Sequence, residues 1–295
     1  MTRTIVLGYD GSPESVAAAD WAAAEAVRTG ARLRVVYAWE WQPYSLGITD
    51  ATPAGRSVMD AVPADEAERL ARRHRGLRAD GERVSGAPAT TLVEVARSAA
   101  LLVVGSRGLG KMHGFVVGSV AQSVIARATS PVVLVRPGTD ASGPGRTRAG
   151  EVLVGFDPGH PAPRLLDAAF EAADRRGAVL RVVHVWPEPH GLPGTGVDPE
   201  AARARETAEI ARLKSALAPW RESRPHLAVR ECALAGKPAD RLIAESHHAP
   251  LLLVGRRAPR LAALGPRIGH VTQAAMQHAT CPVEVVPEDH EGQDD

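Results

Sequence analysis

At 295 residues the chain is about twice the length of a typical domain, and its 44% hydrophobic and 23% charged residues, at a mean hydropathy of −0.12, exclude a disordered or membrane-embedded protein. Thirty-five basic against 34 acidic residues leave a net charge of +1, so no global field draws in nucleic acid or an anionic membrane, and any anion must be held locally. No apolar run reaches the ~18 residues of a membrane span, the N-terminus enters Ile5-Val6-Leu7 without a secretory leader pattern, and a cytoplasmic location is the expectation.

In chain order, Thr4 to Leu7 reads as a strand. Ser12 before Pro13 reads as the N-cap and first turn of a helix that runs to about Arg28, with Gly30 as its stop. Leu33 to Ala38 is a second strand. Residues 40 to 63 read as a loop, followed by a short helix near 65 to 75 and a strand near 82 to 84. A helix from about Ala89 to Ser98, the apolar strand Leu101 to Val104, a glycine-rich turn, a helix near Ser119 to Ala128 and the strand Val132 to Val135 complete the pattern. Five strands with helical crossovers predict an α/β, doubly wound parallel sheet of Rossmann-like type. With aromatics at only 4%, aliphatic side chains must fill its core.

The pattern is then written again. Thr4-Ile5-Val6-Leu7-Gly8-Tyr9-Asp10 returns as Glu151-Val152-Leu153-Val154-Gly155-Phe156-Asp157, and the segment from Gly30 to Trp39 returns from Gly177 to Trp186, both at an offset of 147. Gly86-Ala87-Pro88 and Leu102 to Gly105 return at an offset of 150, and Thr129-Ser130-Pro131 at 151. The period is too long for a solenoid and marks a duplicated domain. The expected boundaries are 1–137 for the first copy, a Gly-rich linker over 138–150, 151–287 for the second copy and a short acidic tail over 288–295. The second copy is expected to spend its variable segment on a helix from about Pro199 to Leu217.

Ligands in such sheets sit beyond the carboxyl ends of the strands, and two of those ends are unusual. One is Gly8-Tyr9-Asp10-Gly11-Ser12 after the first strand. The other is Gly105-Ser106-Arg107-Gly108-Leu109-Gly110-Lys111 after the fourth, where glycines permit close backbone approach and Arg107 and Lys111 add charge. Gly118-Ser119 then opens the next helix, whose amides point at the same place. The interval is Gly105, two residues, Gly108, nine residues, Gly118-Ser119.

This constellation resembles the universal stress protein family, whose ATP-binding signature is Gly-x2-Gly-x9-Gly-(Ser/Thr); the chain resembles a tandem two-domain member along nearly its whole length. The resemblance implies two domains of the adenine nucleotide α-hydrolase-like fold. It implies Gly8 and Asp10 beside the nucleoside and a backbone contact from Ala38 to adenine. It further implies Gly105, Ser106, Arg107, Gly108 and Gly110 as the phosphate loop, and Gly118, Ser119 and Val120 as the helix start that completes the cradle. Magnesium accompanying ATP, stress signalling through binding rather than turnover, and pairing of domains through Val132 to Val135 and Val283 to Val286, with a homodimer, are implied in the same way. The protein partner and the signal are not written in these residues.

The second copy departs from the signature. Gly155, Asp157, Val185, Gly255 and Gly269 are kept, but Ala258 replaces the second glycine, Pro259 removes an amide donor, the following interval is one residue longer and His270 replaces the serine. Arg256 and Arg257, with Arg260 and Arg267, make the region basic. An altered or degraded nucleotide site at Gly155, Asp157, Val185, Gly255, Arg256, Arg257, Gly269 and His270 is the expectation.

Other readings stay open at this point. Gly105 to Lys111 nearly spells a P-loop, but Met112 stands where a serine or threonine would hold magnesium, and the loop follows the fourth strand rather than the first. Asp10 and Ser12 also suit simple helix capping. A nucleotide-independent dimeric scaffold and a slow ATPase are the alternatives to a binding protein. For the latter, Glu94 and His113 are the nearby base candidates, with Glu94 expected on a solvated helix face. His247 and His248 project apart, no paired metal-ligand spacing occurs, and Cys232 and Cys281, 49 positions apart, suit strand interiors. The Arg72-Arg73-His74-Arg75 run is expected to be a solvated helix end.

Overall fold

The computed structural model describes residues 3–40, 53–106, 117–138, 150–187, 199–257 and 268–288. The chain divides into two compact units, Met1–Gly143 and Pro144–Asp295, so the division falls inside the expected linker.

Unit 1 runs β1 (Thr4–Gly8), α1 (Pro13–Thr29), β2 (Arg32–Trp39), α2 (Pro53–Arg73), β3 (Arg78–Ser85), α3 (Pro88–Ala96), β4 (Leu101–Gly105), α4 (Ser119–Arg127) and β5 (Val132–Val135). Its strands lie in the order β3-β2-β1-β4-β5, all parallel. Ile5, Leu7, Leu33, Val35, Val103 and Val133 share one buried face of the sheet, and α1 lays Ala18, Ala19, Ala22, Ala23 and Ala26 over it. A helix face of alanines brings the helix axis close to the sheet, the packing left to a chain with few aromatics. The N-cap is Ser12, whose hydroxyl accepts the Ser15 N–H at 3.2 Å, and Gly30 closes the helix in the left-handed region at φ 65°.

Two elements differ from the sequence expectation. The helix expected near 65 to 75 begins at Pro53 and runs straight through Pro63, a residue that ordinarily ends a helix. Packing explains its place: a Cβ on Gly81 would lie 2.1 Å from the Pro63 carbonyl oxygen, so α2 rests directly on a strand position that has no side chain. The strand expected near 82 to 84 spans Arg78–Ser85. Its charges hid it, and they are cross-strand pairs, Arg32 with Asp80 and Arg34 with Glu82, each at 2.5 Å.

Unit 2 runs β6 (Val152–Gly155), α5 (Pro163–Arg176), β7 (Leu180–Trp186), α6 (Pro199–Ser223), β8 (Val229–Ala235), α7 (Pro238–Glu245) with a 3₁₀ turn over Ser246–His248, β9 (Leu252–Arg257), α8 (His270–His278) and β10 (Val283–Glu288). The order β8-β7-β6-β9-β10 repeats that of unit 1, again all parallel. Fully buried Leu166 and Phe170 on α5 stand beside Ala169 and Ala173, where α1 has alanines throughout. Helix α6 extends past Leu217 to Ser223, and β10 reaches Glu288, one residue into the expected tail. Cys232 lies within β8 and buried Cys281 just before β10. No helix among the described residues is long and apolar enough to cross a membrane.

Candidate functional site

In unit 1 the strand ends are shaped by close approaches. A Cβ on Gly8 would meet Leu92 Cδ1 at 2.9 Å and Val104 Cγ1 at 3.3 Å, so the glycine admits the α3 leucine over the end of β1. The next residue, Tyr9, donates its N–H to the Val36 carbonyl at 2.9 Å. Pairing of β1 with β2 stops at Gly8 and Val36, which places Ala38 past the last paired position. The exposed Asp10 accepts through Oδ1 from the Ser12 N–H at 3.0 Å and the Ser12 hydroxyl at 2.5 Å. Its carboxylate therefore builds the turn that caps α1, with Gly11 at φ 76° completing the bend.

At the end of β4, a Cβ on Gly105 would lie 2.6 Å from the Glu14 carbonyl carbon and 2.8 Å from Ser15 N, so the first turn of α1 rests on this glycine. Ser106 is fully buried, donates its N–H to the Val135 carbonyl at 2.8 Å, and its hydroxyl has no partner among the described residues. Arg107, Gly108 and Gly110 lie outside the described residues. Gly118, the N-cap of α4, has φ −58° and ψ 148° and no side-chain cap. Unlike Gly8 and Gly105, it has no described atom within 4 Å of where a Cβ would stand. Neither its backbone conformation nor its packing against the described residues calls for glycine.

Gly8, Asp10, Ala38, Gly105, Gly118, Ser119 and Val120 line one cleft of about 250 Å³. Ser106 is not in that lining. The sequence reading missed Tyr9, Val36, Pro88, Leu92 and Val104, which form much of the apolar wall. The apolar runs of β2 and β4 mark Val36 and Val104 as buried, but nothing in sequence tells which buried residues border a cavity. Tyr9 has its hydroxyl pKa raised by burial, then by the charge and hydrogen bond of Glu66 on α2. Glu94 is exposed and paired with Arg97 at 2.9 Å, as expected, and His113 lies outside the described residues.

Unit 2 keeps the outline and changes the chemistry. A Cβ on Gly155 would meet Leu242 Cδ1 at 2.7 Å, repeating the Gly8 device, and Val185 again lies past the last β6–β7 pair, Gly155 with Val183. Asp157 accepts from the Gly159 N–H at 3.0 Å and meets His160 Nδ1 at 2.7 Å. Burial raises its pKa, but these two bonds outweigh it and hold the carboxyl below its ordinary range. Helix α5 starts at Pro163, six residues after its aspartate where α1 starts three after, and its Ala162 N-cap offers no side-chain bond. The Glu288 carboxylate does that work instead, accepting the Leu165 N–H at 2.6 Å.

Beside this contact Arg256 is buried, with its pKa lowered by burial and by Arg164, and Arg257 ends β9. Gly255 is uncrowded, its nearest neighbour being Leu165 Cδ2 at 3.5 Å, and its carbonyl accepts from the Thr272 hydroxyl at 2.8 Å. Gly269 caps α8 with nothing described within 4 Å of a Cβ, and exposed His270 opens that helix. Buried His184 meets the Phe156 carbonyl at 3.3 Å and Glu209 at 3.7 Å. Glu209 also accepts from Arg205 and Arg212 at 2.9 and 2.8 Å, and its carboxyl is lowered although burial opposes this.

The model of the universal stress protein family matches residues 1–136 and 150–287. The chain belongs to that family. A universal stress protein of Mycobacterium tuberculosis is 34% identical over 291 residues, covering 95% of this chain and 96% of that protein. One from Mycolicibacterium smegmatis is 33% identical over 96% of both. Among solved structures, a universal stress protein from Archaeoglobus fulgidus superposes with a TM-score of 0.69 at 18% identity over 97% of this chain and 98% of that one, a likeness of fold. The tandem, Rossmann-like architecture read from the duplication is that of this family.

Proposed function

We propose that the protein binds an adenine nucleotide, ATP with magnesium, in the unit 1 cleft, and that binding rather than turnover is its activity in stress signalling. The observation that carries this reading is Gly118-Ser119. A glycine that no described neighbour requires stands at the N-terminus of a nine-residue helix, on the wall of a cleft shared with Asp10 and Ala38. Amides at a helix start favour phosphate oxygens, and a missing side chain lets them approach.

Ala38, past the last position of β2 that pairs with β1, offers backbone groups on that side to a base edge, while Val36, Leu92 and Val104 suit its faces. The oxygen-bearing residues Asp10, Ser12, Glu14 and Ser119 around the cleft suit magnesium chemically. Among the described residues no group of three or more acidic, histidine or cysteine side chains forms a metal site, so magnesium would arrive on the nucleotide's phosphates.

Asp10 is engaged in capping, and a hydrolytic mechanism would need a base positioned for water. Unit 2 is read as an altered site, and a cytoplasmic homodimer belongs to the same reading. Titration of ATP with magnesium into wild type and Gly118→Val tests it. A Cβ there has no described atom within 4 Å, and the valine methyls narrow the cleft, so loss of binding without loss of stability supports the site.

A nucleotide-independent scaffold is the second reading, favoured by Gly8 and Gly105, whose missing side chains serve packing on Leu92 and α1 whatever is bound. It predicts no binding heat from either protein. A slow ATPase instead predicts ADP release that Gly118→Val abolishes.

A further inference from the structure

Unit 2 has a histidine where unit 1 has a tyrosine. Tyr37 on β2 returns at the offset of 147 as His184 on β7, which is only 8% exposed and faces an acceptor at each end of its ring. Nδ1 lies 3.3 Å from the Phe156 carbonyl oxygen, just past β6, and Nε2 lies 3.7 Å from Oε2 of Glu209 on α6. A neutral imidazole carries one N–H. Whichever nitrogen bears it, the other turns a lone pair toward an oxygen, and only the imidazolium donates at both ends.

Helix α6 buries Glu209, Leu213 and Leu217, four residues apart, so the glutamate stands in the row by which the helix packs. None of residues 199–208 is buried. Arg205 joins Glu209 at 2.9 Å and lies over the Trp186 ring at 5.6 Å, so the N-terminal half of α6 meets β7 at this carboxylate. Arg205 and Arg212 oppose a positive charge on His184, but their side chains are 58% and 54% exposed and screened by water, whereas that of Glu209 between them is 4% exposed. Asp157, paired with His160, stands in the turn that follows Phe156. On β8, Ala233 is opposite His184, and Glu231, two residues back, is engaged by Arg221. The α5 carboxylates Asp167 and Asp174 are bound to Trp220 and His226, at and beyond the other end of α6. Arg181, paired with Glu245 of α7, projects from the opposite face of β7.

We propose that His184 is a proton-operated clasp on α6. Protonated, the ring ties the Phe156 carbonyl to Glu209 and holds the N-terminal half of α6 against β7. Deprotonated, it gives up one of the two contacts, and residues 199–208 loosen. The sign follows from linkage: the closed arrangement is the one that uses the proton, so the hold is present at low pH and is lost as pH rises through the titration of the ring. Histidine is the side chain that makes such a change in the physiological range. Unit 1, with Tyr37 at this position, has no such clasp, and the inference stands whether or not unit 1 binds nucleotide.

The experiment is amide hydrogen exchange of the full chain from about pH 5 to 8, corrected for the intrinsic pH dependence of exchange and read over 199–208 with α1 as the reference, alongside NMR titration of the histidine rings. Wild type, His184→Gln and His160→Ala are compared; the ring signal missing from His184→Gln is that of His184. The expected result is opening of 199–208 that rises roughly fivefold or more as His184 loses its proton, with no such step in α1, none in His184→Gln, and the step kept in His160→Ala. The coincidence of ring titration and helix opening is read in wild type, so it tests the clasp however His184→Gln folds. Flat exchange over 199–208 in wild type, a step that does not follow the His184 ring, a step that survives in His184→Gln, or one lost in His160→Ala would overturn the clasp.

Discussion

Units 1 and 2 are two answers to one backbone problem. Each must finish the N-terminus of its first helix, and each must close the carboxyl ends of β1 and β4, or of β6 and β9, where ligands bind in this class of sheet. Unit 1 solves the first task locally, with Asp10 and Ser12 capping α1 within the turn, and keeps a cleft beyond the strand ends. Unit 2 solves it from a distance. Glu288 caps α5 from the end of the last strand, Thr272 ties α8 to the Gly255 carbonyl, and His160 engages Asp157. Side chains of unit 2 itself thus take up a backbone donor at the start of α5 and a backbone acceptor at Gly255. The lesson is that the signature glycines are of two kinds. Gly8 and Gly155 serve packing in both units, Gly105 serves packing in unit 1, and Gly118 and Gly269 have no such task among the described residues.

The largest expected effect breaks the comparison at Gly118. Gly118→Val lowers ATP affinity by about a hundredfold or more, ~2.7 kcal/mol, while the melting temperature moves by no more than about 2 °C. Calorimetric titration and thermal scanning of the same sample check both halves. Next comes the crowded glycine: Gly105→Ala destabilises unit 1 by about 2 to 3 kcal/mol, because the backbone of α1 must move. Gly255→Ala, with nothing closer than 3.5 Å, changes unit 2 by no more than about 0.5 kcal/mol. Denaturant titration of the two variants separates them.

The caps give a smaller difference. Glu288→Gln removes a charged acceptor from α5 and costs unit 2 about 1 to 2 kcal/mol, while Ser12→Ala costs unit 1 about 1 kcal/mol. Hydrogen exchange at the first turns of α5 and α1 localises each loss.

The smallest effect is in pH. Since Asp157 titrates lower when folded than the ordinary carboxylate of the unfolded chain, near 3.9, its contribution is complete above that value and disappears as pH falls through the folded pKa. His160→Ala should return Asp157 toward the ordinary value, which carboxyl NMR titration reads directly, and an unchanged titration would discard the pairing.

Much of this was legible in the sequence because the relevant signals are local. Short apolar runs, Ser12-Pro13 and Gly30 located β1, α1 and β2, and the duplication carried them into unit 2. The start of α2 was hidden because Pro63 has the look of a helix stop until Gly81 is seen beneath it, and most of β3 was hidden because its charges are satisfied by Arg32 and Arg34 across the sheet. At the site, the glycines and Asp10 were visible as a spaced pattern, whereas the apolar wall of Val36, Leu92 and Val104 was not, because it is assembled from three separate elements. The Glu288 cap joins residues 123 positions apart, a distance at which no periodicity reports.

The central claim is that one unit binds nucleotide and the other has taken over its own binding position. Its most direct test is the stoichiometry of ATP with magnesium on the full chain, stripped of nucleotide, in wild type and Gly118→Val. One ATP per chain, lost in the variant, is the predicted result. Two per chain, or one that survives the variant, would contradict it.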